Sequence, residues 1–154
     1  MLEILVDADA CPVKEEVYRV AKRHGLQVKL VANAGMWLPE GVAVEMIVVG
    51  GGFDAADDWI VEHAGPHDIV VSDDILLAAR CLGKGAAVLN AKGREFTEES
   101  IGEALANREF LSQLREHGLA SGGPAPFGAK DRSRFLQCLE TLVRACRKRA
   151  QRGS

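Results

Sequence analysis

The 154-residue sequence has no apolar run approaching the roughly 20 residues that a membrane-spanning helix requires. No basic cluster opens it either: Glu3 and Asp7 stand where a secretory leader carries positive charge. The chain therefore reads as cytoplasmic, with no membrane partner. Cysteine is sparse and shows no metal spacing. Cys11, Cys81, Cys138 and Cys146 form no CxxC pair, so free thiols are expected rather than a zinc or redox motif. Cys138 and Cys146 share one face of a predicted helix. With no internal repeat and no interdomain linker, residues 1–150 read as a single domain and 151–154 as a disordered tail.

What is present is an ordinary globular composition, 47% hydrophobic and 27% charged, with charge unevenly placed. Residues 1–129 hold 11 Lys+Arg against 20 Asp+Glu, a balance of −9, and residues 130–154 hold 8 against 2, a balance of +6. An acidic body with a basic terminal segment suits a metal site beside a polyanion. It also suits a solvated helix face with a basic tail.

The chain opens on Leu2–Val6, an apolar strand that stops at Asp7-Ala8-Asp9. Pro12 suits the first turn of a helix over 13–24, where Val13, Val17, Val20 and His24 recur at helical spacing and Gly25 ends the run. Strands follow at 27–32 and 45–49, separated by a loop containing Gly35, Pro39 and Gly41. After Gly50-Gly51-Gly52 a short helix covers Phe53–Val61. Strands at 68–71 and 86–89 flank a helix at 75–82, and Asn33 and Asn90 end their strands. Thr97 is expected to cap a helix running to about 117 with a break near Asn107. Gly118–Ala129 is rich in Gly and Pro, and a final helix covers 131–148 with Phe135, Leu139, Leu142 and Cys146 on one face. Short apolar strands alternating with helices predict an α/β domain, a parallel sheet covered on both faces.

Three acidic clusters then fall at equivalent places: Asp7/Asp9 after the first strand, Asp54/Asp57/Asp58 opening the helix after the third, and Asp73/Asp74 after the fourth. In a parallel sheet these lie on one rim, the edge where such sheets bind ligands. Carboxylates gathered there repel unless cations sit among them, and oxygen ligands without His or Cys favour Mg²⁺ or Mn²⁺. Each cluster also has a simpler reading. Asp54 with Asp57 resembles an N-cap and its N3 acid, and Ser72 or Asp73 could cap the helix at Ile75. Asp7 and Asp9 resist this, because a cap needs one acid only. Asn33 and Asn90 are candidate substrate contacts or plain turn residues. Lys130, Arg132 and Arg134 crowd a helix start, where cations oppose the dipole, and so could be kept to meet phosphate. Trp37 and Trp59 could stack on bases, although Trp59 beside Ile60 also suits a core position.

Read together, the strings Val6-Asp7-Ala8-Asp9-Ala10-Cys11-Pro12-Val13, Val31-Ala32-Asn33, Gly52-Phe53-Asp54-Ala55-Ala56-Asp57-Asp58, Asp74–Ala79, Val88-Leu89-Asn90, Phe96-Thr97-Glu98, and Gly122-Gly123-Pro124-Ala125-Pro126-Phe127 with Asp131-Arg132 resemble the YaiI/YqxD family over nearly the whole chain. The Asp-Ala-Asp-Ala-Cys-Pro string is the specific portion. Two positions depart from the family pattern: Leu76 stands where a proline is usual, and Asp73 where a small residue is common. The fold of that bacterial family resembles PIN-like nucleases, metal-dependent enzymes that cut RNA or DNA with clustered acids. The resemblance implies a three-layer domain with a five-stranded parallel sheet of order 3-2-1-4-5. Asp7, Asp9, Asp73 and Asp74 would then converge at the switch point, with Asp74 the better ligand of the last pair.

The resulting expectation is a Mg²⁺- or Mn²⁺-dependent phosphodiesterase acting on RNA or DNA. Asp7, Asp9 and Asp74 are its metal-binding and catalytic residues. Asp54, Asp57 or Asp58 complete the shell or position water. Lys130, Arg132, Arg134, Asn33 and Asn90 contact substrate. Two other readings stand beside it. In a haloacid-dehalogenase-type phosphatase Asp7 would be the nucleophile and Asp9 the general acid, although no lysine motif lies between the clusters. In a non-catalytic nucleic-acid-binding or regulatory protein the basic terminal segment would carry the interaction.

Overall fold

The computed structural model describes residues 2–50, 52, 54–116 and 127–152. The Gly122–Phe127 loop, which sequence reasoning reads as a lid or a connector, therefore lies outside the described residues except for Phe127. Among the described residues no helix is long and apolar enough to cross a membrane.

The elements run β1 (Glu3–Asp7), α1 (Lys14–His24), β2 (Gln27–Ala32), β3 (Val44–Val48), α2 (Ala55–His63), β4 (Ile69–Val71), α3 (Ile75–Gly83), β5 (Ala87–Leu89), β6 (Glu95–Phe96), α4 (Glu98–Glu116) and α5 (Ala129–Arg152). They form one six-stranded sheet of order β3-β2-β1-β4-β5-β6. The pairs β1–β2, β2–β3, β1–β4 and β4–β5 are parallel, and β6 runs antiparallel to β5. The sheet is thus mixed and six-stranded, where five parallel strands are expected. The extra strand is two residues long, too short to show a period, and arises from the turn that folds it back on β5.

Alternation along β1 sorts the core into two layers. Ile4 and Val6 pack with Val17 and Val20 of α1 and Phe135, Leu139 and Val143 of α5. Leu5, between them, packs on the other face with Ile60 of α2, Leu77 and Cys81 of α3, and Ile101 of α4. β4 has all three residues buried, as expected for a central strand covered on both sides. The result is three layers, helix on sheet on helix.

Three helices differ from their predicted bounds. A single 3-10 turn over Ala8–Ala10 follows β1 and α1 starts at Lys14, so Pro12 precedes the helix and its carbonyl accepts from Arg132 of α5. α4 continues through Asn107, where a break is expected, because asparagine carries only a modest helix penalty. α5 extends beyond the predicted 131–148 at both ends. α1 closes on Gly25 at φ +64°, whose N–H bonds back to Ala21 and Lys22 carbonyls.

Candidate active site

β1 and β4 lie side by side, with Val6 level with Val71. The residues that follow, Asp7 and Ser72, are therefore neighbours. The Ser72 hydroxyl donates to Asp7 Oδ2 at 3.1 Å and accepts the Asp74 N–H at 3.0 Å. Ser72 is buried and ties the two strand ends together. Asp74 then caps α3, its Oδ1 accepting from the Leu76 and Leu77 amides at 2.9 and 3.2 Å. The cap that sequence reasoning assigns to Ser72 or Asp73 belongs to Asp74. Ser72 is instead occupied in bridging the acids. Asp73 turns the other way, and its Oδ1 accepts the Ala91 N–H at 2.8 Å, anchoring the turn after β5.

A cavity of about 200 Å³ opens here, lined by Asp7, Cys11, Pro12, Val71, Ser72, Asp73, Asp74 and Ala91. A second, of about 570 Å³, shares Asp73 and Asp74 with it and adds Asp54, Asp57 and Arg80. Asp54 occupies the N-cap position of α2 but makes no side-chain cap bond, contrary to the capping expectation, and it lines the rim cavity.

The electrostatics register the crowding. Burial raises the Asp7 carboxyl above its ordinary value; the Ser72 hydrogen bond opposes this, and the charges of Asp74, Asp9 and Asp73 add to it. Asp57 is pushed up to about 6, first by burial and then by the charges of Asp74, Asp7 and Asp54, against Arg80. Among the described residues, Asp7 Oδ1, Asp74 Oδ2 and both Asp57 oxygens have no protein donor. Cys11 is pushed up by burial, with the nearby acids Asp73 and Asp7 adding to the rise, which keeps it a neutral thiol rather than a nucleophilic thiolate.

The other candidates sit further out. Asp9 is exposed and accepts the Asn33 N–H at 3.2–3.3 Å, so the Asn33 main chain, rather than its side chain, defines that contact. Asp58 is exposed and pairs with Arg80 at 2.9 Å. Asn90 is a turn residue: its Oδ1 accepts the Lys92 and Arg94 amides at 3.0 and 2.9 Å. Arg132 donates from Nη1 to the Pro12 carbonyl and to Glu16 Oε1 at 2.6 and 3.1 Å, with its guanidinium 5.1 Å from the Phe127 ring centre. It locks α5 to α1 beside the rim. Lys130 and Arg134 are exposed, and the Arg134 main chain packs against Gly93. Trp37 is 81% exposed. Trp59 is half-buried and stacks on His63, ring centres 3.8 Å apart. Sequence reasoning misses Ser72 as the bridge and Arg80 as the cation on the cavity wall. The Ser-Asp-Asp string after β4 is a signal for the first, and nothing local marks the second.

A hard divalent cation fits this donor set in one mode and not in another. Among the described residues no three His, Cys, Asp or Glu side chains are gathered closely enough to cage an ion. Mg²⁺, however, commonly keeps several waters and binds through one or two carboxylates together with substrate phosphate. The unpartnered oxygens of Asp7, Asp57 and Asp74 suit that open mode.

The fold and rim define an α/β protein with an acidic crevice at the carboxyl ends of parallel strands. A family model described as "Uncharacterized BCR, YaiI/YqxD family" matches residues 5–145. The chain belongs to that family. It is 56% identical over 149 residues to a UPF0178 protein of Parvibaculum lavamentivorans, covering 97% of this chain and 98% of that one. It is 56% identical over 152 residues to one of Rhodospirillum centenum, covering 96% and 99%, and 54% identical over 141 residues to one of Brucella ovis, covering 91% and 88%. No solved structure matches.

Proposed function

We propose that this protein is a Mg²⁺- or Mn²⁺-dependent phosphodiesterase acting on RNA or DNA, of PIN-like type. The observation that carries the reading is that Asp74 lines both adjoining cavities, one with Asp7 and the other with Asp57, and that Asp57 is pushed up to about 6 by burial and by the charges of Asp74, Asp7 and Asp54. The run β3-β2-β1-β4-β5 within the sheet supports it, since it sets β1 and β4 side by side where the crossover direction reverses.

When bound, a divalent cation polarises a phosphoryl oxygen and acidifies water for in-line attack. The chain's own contribution is to hold the acids in place and to move a proton. Ser72 fixes Asp7, and the α3 cap engages one Asp74 oxygen while leaving the other without a donor among the described residues. Asp57, poised near neutrality and without a protein donor among the described residues, is suited to take the proton of the attacking water. Asp54 borders the same crevice, and Asp9 and Asp58 add negative charge from its margins.

Calorimetric titration with Mn²⁺ tests the site. Binding by the intact protein, lost in Asp7→Asn/Asp9→Asn, together with Mn²⁺-dependent cleavage of single-stranded RNA or DNA, is the expected outcome. No heat at millimolar metal would sink the metal reading. The phosphatase alternative, with Asp7 as nucleophile, needs a cation beside the phosphorylated carboxylate, and among the described residues the Asp7 cavity wall carries no lysine or arginine. An aspartyl-phosphate trapped on Asp7 would nevertheless favour it.

A further inference from the structure

The turn joining β5 to β6, Asn90–Arg94, is held more firmly than its length requires. The Asn90 amide bonds the Arg94 carbonyl at 2.9 Å, and Gly93 N–H bonds the Asn90 carbonyl at 3.1 Å. The Asn90 side chain accepts two further amides from inside the loop. Asp73 grips Ala91 from the rim side at 2.8 Å. On the opposite side Gly93, at φ +85°, lies so close to the Arg134 main chain that an added Cβ would sit 2.9 Å from its carbonyl atoms. Asp73, one of the acids expected to converge on the rim, and Asn90, a candidate substrate contact or turn residue, are thus committed to this turn. The charged side chains it presents are the half-buried Lys92 and the exposed Arg94.

Both cations line a cavity of about 340 Å³ together with Asp73, Asn90, Phe96, Ser100, Glu103 and Asn107. That cavity shares Asp73 with the acidic crevice, so the two are adjacent compartments of one surface. Neither the Lys92 nor the Arg94 side chain has an ion pair or hydrogen bond among the described residues. By contrast, Arg80 pairs with Asp58 and Arg132 with Glu16. Two cations without a partner among the described residues, on a fixed turn beside a crevice too acidic to hold phosphate without a metal, make an anion subsite next to the reacting position. Glu103 also lines the cavity, and its negative charge disfavours an anion near it.

We propose that Lys92 and Arg94 form a phosphate-binding subsite for the nucleotide next to the scissile bond of a single-stranded nucleic acid. The subsite rests on the phosphodiesterase reading for the identity of its polyanion. In this arrangement Lys92 and Arg94, rather than Lys130 and Arg134, carry backbone contact. Each phosphate neutralised in a single strand contributes roughly −0.7 to the slope of log K against log salt.

The test uses the full chain without divalent metal and fluorescein-labelled oligouridylate and oligothymidylate, with anisotropy read over a salt series. In Lys92→Gln/Arg94→Gln the affinity should fall at least tenfold and the salt slope should lose roughly one to two units. Lys92→Arg/Arg94→Lys should restore most of the binding, and Lys130→Gln/Arg134→Gln should leave it near the parent value. Far-ultraviolet circular dichroism and Mn²⁺ titration should be unchanged in the Gln pair, which separates the subsite from folding and from the acids. Equal affinity and slope in parent and Gln pair overturn the subsite, as does the absence of oligonucleotide binding by the parent. If the Gln pair binds normally while Asp7→Asn abolishes cleavage, the subsite fails and the phosphodiesterase reading stands. If oligonucleotide binding depends on Lys92 and Arg94 but no metal restores cleavage, the reverse holds.

Discussion

Asp74 Oδ1 accepts the Leu76 and Leu77 amides, so removing the side chain and removing only its charge have different consequences. Asp74→Ala strips the cap from α3 and should cost about 1 kcal/mol in denaturant melts, whereas asparagine caps as well as aspartate and Asp74→Asn should keep the parent stability. Both variants should lose Mn²⁺ affinity in calorimetry, and a stable Asp74→Asn that still bound metal normally would remove Asp74 from the site. Asp57 makes a second prediction, through pH. Its carboxyl is raised from 3.8 to about 6 in the folded protein, so the native state holds this proton more tightly than the unfolded chain does. The penalty for charging Asp57 is complete above about pH 6, shrinks as pH falls through that value, and is gone below 3.8. Metal-free parent protein should therefore gain stability between neutral and mildly acid pH relative to Asp57→Asn, with the variant the more stable of the two at pH 7. Partial exposure screens the charges and keeps the difference small. Thermal melts across that range read it directly.

At the scale of elements, the β5–β6 turn is where backbone geometry matters most. Gly25 and Gly93 both take positive φ, +64° and +85°, but Gly25 has nothing within 4 Å of an added Cβ and Gly93 meets the Arg134 main chain at 2.9 Å. Gly25→Ala should cost about 1–2 kcal/mol, the left-handed backbone penalty alone. Gly93→Ala should cost clearly more, because α5 or the turn has to move. Comparison of the two urea midpoints checks this, and equal losses would mean that the turn is free to shift. The short β6 follows from the same turn. Its two residues pair Phe96 with Val88 and Glu95 with Leu89, and Phe96 is buried. A period-2 search needs more residues than that, so only the hydrogen-bonded return of the chain reveals the strand. The first helix shows the opposite case. Its Val17 and Val20 stripe, its acids in the first turn and its cations in the last all agree with the observed Lys14–His24, because local pattern and burial coincide there.

For the whole molecule, the basic character of the terminal segment has a structural use. Glu140 of α5 accepts from Arg23 at 2.9 Å, His24 at 2.6 Å and Arg144 at 2.9 Å, while Arg147 donates to the His24 carbonyl. Arg132 performs a similar task at the other end through Glu16 and Pro12. Two of the cations that raise this segment to +6, Arg132 and Arg147, are thus employed in holding α5 across α1, and a third, Arg144, braces Glu140 from within α5. Burial tends to raise the Glu140 carboxyl, but the bonds from His24 and Arg144, the His24 charge and Arg23 outweigh it and hold it below its ordinary 4.5. The stability this gives is complete above 4.5 and lost as pH falls through the depressed value. Glu140→Gln should therefore be less stable than the parent by about 1 kcal/mol at neutral pH and should converge with it in acid. A constant difference across pH would mean that packing, not charge, joins the two helices.

Periodicity and punctuation determine much of this protein before any folding is considered. The α/β class, five strands and five helices, and acids at the ends of β1 and β4 all follow from runs such as Leu2–Asp7 and Ile69–Asp74, whose residues answer to their near neighbours in sequence. What each acid does is decided only by tertiary contact. Asp74 caps, Asp73 braces a turn, Asp9 meets a strand end, Asp58 pairs with Arg80, and Asp57 moves to about 6. Each of those outcomes except the cap depends on atoms from an element distant in sequence. Hydrogen bonding and desolvation act over a few ångströms of space, and the chain brings those groups within reach of one another only when the sheet assembles.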